Sequence, residues 1–266
     1  MKIKKKNIYI IIICILFIIL TFITFKIINK KKNEKKFENS VLSFSAKNEK
    51  TIFSINKILF FSSSDSKNKT STGSNFTIEN LYTYTDIAIF INTNSEEQTL
   101  ENTLKSLRIT NIKYKETPTI GEPNLYYKSV QNFAKSEIEE ENKIENELNF
   151  EITSEEKTNF DKPILYNNCA NPITLSYINQ NIKTDYTIID TTNPITYDGT
   201  LLKKCAVPLS SLKTQIYLEI EIENNKTQKF RTNINIDIPY QDDEKSIYDG
   251  NLIVKREVNN NFYRYE

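Results

Sequence analysis

Hydrophobic and polar positions divide this chain into two textures. Residues 8–28 form one apolar run. From residue 41 onward, short runs rich in Ile, Phe, Tyr and Thr alternate with breaks of Asn and Ser. The first run reads IYIIIICILFIILTFITF over 8–25, with no charge, Gly or Pro. As a helix it covers about 27–30 Å, one hydrocarbon core. Ile is a mediocre helix former in water, but in lipid the backbone has no other partner and a helix is expected. A cleaved signal peptide has a shorter apolar region followed by a small-residue site. Here the run passes into lysines at 26, 30, 31 and 32. The expectation is an uncleaved, single-pass transmembrane helix at 8–28 in the lipid bilayer, after a basic tail (1–7) and before a charged stalk (29–40). Cys14 follows Ile13, where a lipoprotein cysteine needs a small residue. The run lacks Gly, Ala and Ser, so close helix pairing is not expected.

The second texture is that of strands. Residues 51–61 predict a strand, or two with a bulge; 62–75, without an apolar residue, predict a loop. In 76–92, Ile87, Ile89 and Ile91 share one face while Ala88 and Phe90 share the other, so both faces are buried. Ser95 to Gln98 fit a capping box, and Leu100, Leu104 and Leu107 recur at helical spacing, which predicts a short helix. Residues 106–115 then read as a strand and 125–127 as an edge strand. Residues 134–147 are Glu-rich and unpatterned, a solvated linker or frayed helix. Beyond them Leu148, Phe150 and Ile152 alternate, 173–179 and 185–190 read as strands around an Asn-rich turn, and 251–258 as a last strand.

The clearest pattern is the pair 214–223 and 229–238. Ile216, Leu218, Ile220 and Ile222 face one way and Gln215, Tyr217, Glu219 and Glu221 the other. Phe230, Thr232, Ile234, Ile236 and Ile238 match the apolar side on the partner. Such alternation predicts an antiparallel hairpin with one wet face, where Glu219 or Glu221 meets Arg231. The fold class is therefore all-β: a first β-domain at 41–133, an acidic linker at 134–143, and a second β-sandwich domain at 144–266. The sandwiches are expected to be immunoglobulin-like or jelly-roll-like.

Charge sharpens the division. Residues 1–36 hold ten lysines and one glutamate; removing these from 35 basic and 34 acidic residues leaves 25 and 33, a net of −8. An acidic body argues against nucleic-acid binding, which needs phosphate neutralisation. The lysines flank the apolar run on both sides, so the positive-inside rule leaves its direction open. A tail of seven residues resembles the start of a signal-anchor, which places the body outside the cytoplasm. Abundant Lys, Asn and Ile with scarce Gly and Pro resemble the coding bias of AT-rich bacteria.

The absence of His removes Ser-His-Asp and Cys-His catalysis and the commonest metal ligand. No cofactor-binding pattern is present. Cys169 and Cys205, which open the phrases CANP and CAVP, are candidates for a disulfide in an oxidising compartment; two unpaired thiols are the alternative. Ser-x-x-Lys occurs at Ser54, Ser64 and Ser210, as chance predicts in a chain rich in both residues. Carboxylates around Asp242 read as a solvated turn rather than a calcium loop. Tyr82, Tyr84, Tyr126 and Tyr127 offer stacking faces for a partner, against the plainer reading of half-buried packing.

The expected function is that of a membrane-anchored envelope protein, acting without catalysis in binding, adhesion or envelope structure. Its partner is an unidentified protein or glycan. One alternative is an envelope enzyme using Ser/Lys or carboxylates such as Asp86, Asp185, Asp190 and Asp242. The other is an accessory subunit of a membrane complex.

Overall fold

The computed structural model describes residues 20–21, 23–34, 36, 52–67, 76–157, 162–167, 171–188, 195–238 and 247–265. The chain divides into two compact units, Met1–Glu49 and Lys50–Glu266. In the first unit the described residues are helical. Helix continues into the expected stalk through residues 29–34 and 36. Thr24 satisfies its hydroxyl within the helix, donating to the Leu20 and Thr21 carbonyls at 3.0 and 2.9 Å. Among the described residues no helix is long and apolar enough to cross a membrane. The run expected to do so lies largely outside them.

The second unit is all-β, with two sheets. In the first, β1 (Phe53–Ser66), β2 (Phe76–Thr93), β4 (Glu122–Tyr127), β7 (Ile173–Ile188) and β10 (Leu252–Asn261) stand in the order β10-β1-β2-β7-β4. In the second, β3 (Leu104–Glu116), β5 (Leu148–Thr153), β6 (Ile164–Tyr166), β8 (Gln215–Asn224), β9 (Lys229–Asp237) and β11 (Tyr263–Arg264) stand in the order β11-β9-β8-β3-β5-β6. All pairs are antiparallel except β5 and β6.

Both sheets turn apolar side chains into one core. The first contributes Ile87, Ile89, Leu175 and Tyr177, the second Leu107, Ile109, Leu218, Ile220 and Ile234. Phe53 meets Phe230 edge to face at 5.4 Å, and Tyr177 places its hydroxyl 2.8 Å from that of Thr214. Each sheet draws strands from both sides of residues 134–143. The two expected β-domains are thus a single unit, and the expected linker lies inside it.

The β8–β9 hairpin forms in the expected register, Ile216 opposite Ile236 and Ile220 opposite Thr232. Its turn is held by Asn224, whose side-chain oxygen accepts from the Lys226 and Gln228 amides at 3.1 and 2.8 Å. The expected bulge in β1 falls between Ile55 and Lys57.

Four expectations are corrected. Residues 62–66 are not loop but the buried end of β1, where the Ser62 and Thr85 hydroxyls pair at 2.8 Å. No helix forms over 95–107. A register shift between Leu104 and Ser106 inserts one residue into β3, so two core leucines three apart lie on one strand face. The strands expected at 173–179 and 185–190 are not separated by a turn, and residues 189–190 lie outside the described residues. β7 runs unbroken to Ile188, with register shifts in its pairing to β2 and Asn181 at φ 58°. Asn tolerates that left-handed conformation better than other side chains. Finally, 134–147 is neither solvated linker nor frayed helix, as the site makes plain.

Candidate functional site

Outward from the core, the first sheet carries a row of side chains across four strands. Phe61, Asp86, Ser176 and Tyr126 stand opposite one another on β1, β2, β7 and β4. Beside them Tyr82, Tyr84 and Ile178 form a second apolar cluster, with Phe61 and Ile138 packed against it. The segment leaving β4 returns over this face through 3-10 turns at Val130–Asn132 and Glu140–Asn142. It is pinned by polar contacts. The Tyr82 hydroxyl donates to the Ser136 carbonyl at 3.1 Å and that of Tyr126 to Glu140 Oε2 at 3.1 Å. Gln180 donates to both Tyr126 and Glu140 at 3.2 Å. Ile144 then enters the main core.

Under this strap lies a buried charge pair. Lys128 Nζ is 3.0 Å from both Asp86 oxygens, with the side chains 6% and 0% exposed. Ser176 Oγ donates to Asp86 Oδ1 at 2.6 Å and the Ala134 amide to Oδ2 at 2.7 Å. Ala134 takes φ 65°, an unfavourable backbone for Ala that a charge-assisted hydrogen bond offsets. Lys128 also donates to the Lys135 carbonyl, and its Nζ stands 5.3 Å from the Tyr84 ring centroid. Burial pushes the Asp86 carboxyl up, against the opposing effects of Lys128 and Ser176. Burial likewise raises the Tyr82 and Tyr84 hydroxyls, and with Glu140 it pushes Tyr126 up to about 12.

The expected partner-facing tyrosines are therefore covered by their own chain. Tyr82, Tyr84 and Tyr126 lie beneath the strap. Tyr127 faces the core, its ring 6.3 Å from that of Phe150 and its hydroxyl donating to the Lys162 carbonyl at 3.3 Å. Cys205 is half-buried with a free thiol raised by burial, while Cys169 lies outside the described residues. Asp190 and Asp242 also lie outside them. Ser64 and Lys67 are engaged separately, Ser64 with the Asp198 carbonyl and Lys67 with Gln180. Among the described residues no group of three or more His, Cys, Asp or Glu is placed to hold a metal ion.

Among the described residues, the outer face of the second sheet is partly exposed at Arg108, Asn233 and Asn235. Glu221 is at its centre, accepting from Arg108 Nε at 2.5 Å and from Arg231 Nη2 at 2.6 Å. Arg231 also pairs with Glu219 at 2.8 Å and lies 4.6 Å from the Tyr265 ring centroid. Burial would raise Glu221, but the two guanidinium groups outweigh it and hold the carboxyl low. Arg108 is half exposed and bounds a hollow of about 370 Å³ with Asn149, Glu223, Lys229 and Tyr265.

The Glu221–Arg231 contact was legible from the hairpin alternation. Arg108 was not, because β3 joins β8 from 113 positions earlier in the chain. Lys128 and Ser176 carried no motif; the one signal was a carboxylate, Asp86, in the middle of a strand, next to a stretch apolar on both faces. No family model, no curated protein and no solved structure matches the chain.

Proposed function

We infer that this protein is a single-pass, membrane-anchored envelope protein of bacterial type whose body acts without catalysis, by binding. The anchor rests on the apolar run at 8–28, and the body is read as a β-sandwich facing away from the cytoplasm. One observation carries the binding reading: the contrast between the two outer faces. The groups best suited to chemistry, Asp86 and its tyrosine neighbours, are enclosed and hydrogen-bonded within the chain. The partly exposed face instead presents a fixed Glu–Arg lattice with a hollow rimmed by Arg108, Lys229 and Tyr265. Ordered charges beside an aromatic ring suit recognition of a polar partner surface, protein or glycan.

The test is binding of the full-length protein, in detergent, to an array of envelope glycans and surface-protein ectodomains. A signal that falls at least tenfold in Arg108→Ala and Tyr265→Ala, with the fold kept, supports the reading. A signal indifferent to both changes, or hydrolytic or transferase activity in the purified protein, overturns it. Retention of the chain in membranes after alkaline carbonate washing tests the anchor separately.

A further inference from the structure

Lys128 and Asp86 meet where water is excluded, under the strap and against the Tyr84 ring. A nitrogen 3.0 Å from both carboxylate oxygens stands within roughly 3.5 Å of the carbon between them, the separation of reactants poised for attack. We propose that Lys128 and Asp86 condense to an intramolecular amide, a covalent cross-link from β2 to the segment after β4. The proposal is independent of the binding reading, since it concerns the opposite face of the body.

The step balances without a co-reactant. The ammonium passes one proton to the carboxylate, leaving a free amine and a carboxylic acid. The Nζ lone pair attacks Cγ and an N–C bond forms. Nitrogen then releases a proton to the departing hydroxyl, the C–O bond breaks, and one water leaves. Burial favours the first transfer, because it disfavours the charged carboxylate. It pushes Asp86 itself toward the protonated form.

The surroundings suit both the passage and the product. Ser176 Oγ and the Ala134 amide aim at the two carboxyl oxygens from fixed positions at 2.6 and 2.7 Å. Preorganised donors of this kind stabilise the charge that develops on a tetrahedral centre. In the product the remaining carbonyl oxygen keeps one of these donors. The new amide N–H keeps the Lys135 carbonyl, to which Nζ already donates. An uncharged amide also removes the desolvation cost that a buried ion pair carries. The bond closes a separation of 42 residues and bridges across β7, which lies between β2 and β4.

The experiment is the intact mass of the full-length wild-type protein, purified folded, followed by peptide mapping after denaturation. The expected mass is one water below that of the sequence, with a branched peptide joining the Lys128 and Asp86 fragments. Lys128→Arg and Asp86→Ala are expected at their full sequence masses, and Asp86→Asn at a mass lowered by ammonia. The wild-type measurement decides the question even where the variants do not fold. A wild-type chain at full mass, or a light chain whose Lys128 peptide is linear, overturns the proposal.

Discussion

Asp86 and Glu221 are both enclosed carboxylates, yet their surroundings drive them in opposite directions. Glu221 sits between two guanidinium groups and is held below its ordinary value of 4.5. Its stabilising contribution is present above that unfolded value and is lost as pH falls through the lower folded one. Glu221→Gln is therefore expected to flatten the acid limb of the melting temperature against pH below 4.5. An unlinked Asp86, raised above 3.8, has the reverse sign. Its contribution is full below 3.8 and is lost as pH rises through the folded value. Joined in an amide it no longer titrates, so Asp86→Asn leaves the pH profile unchanged. Asp86→Ala also strands the Lys128 charge, which costs about 3–5 kcal/mol or more, read from the urea midpoint.

Irregularities within the strands decide how well the elements can be read from sequence. The β8–β9 hairpin is local, uninterrupted and wet on one face, so alternation alone gives its register. In β3 a single inserted residue turned a period of two into a spacing of three, which mimics a helix. In β7 the left-handed Asn181 sits in what reads as a turn, although the strand passes straight through it. Asn181→Val is expected to destabilise by about 1–2 kcal/mol, since a β-branched side chain clashes in that conformation. Asn181→Gly relieves the backbone but loses the contact to Glu122 Oε2 at 2.7 Å, so its denaturation midpoint stays close to wild type.

At the scale of the whole body, the strap and the shared core stayed hidden for one reason. Both depend on contacts between segments far apart in the chain, and the strap's composition is that of solvated linkers. Its glutamates reach water, while Ile138 and Ile144 fasten it to two separate apolar clusters. A body with one core is expected to unfold in one calorimetric transition, not in the two that separate domains on either side of 134–143 give. Ile220→Ala, made from a fully buried position shared by both sheets, is expected to lower stability by about 2–5 kcal/mol. It should move that transition as a whole rather than split it.

The place of β1 in its sheet has a mechanical consequence. β1 is the first strand among the described residues of the body, and it lies between β2 and β10. Its rungs to β2 run from Phe53 to Ser66 and those to β10 from Ser54 to Ser62. A force applied to β1 along its own axis acts on both of its ladders at once. A strand peeled from its end gives up one rung at a time, whereas a strand drawn lengthwise must break both ladders together. An interior strand with ladders on both sides thus resists shear along its length, where an edge strand with one ladder yields more readily.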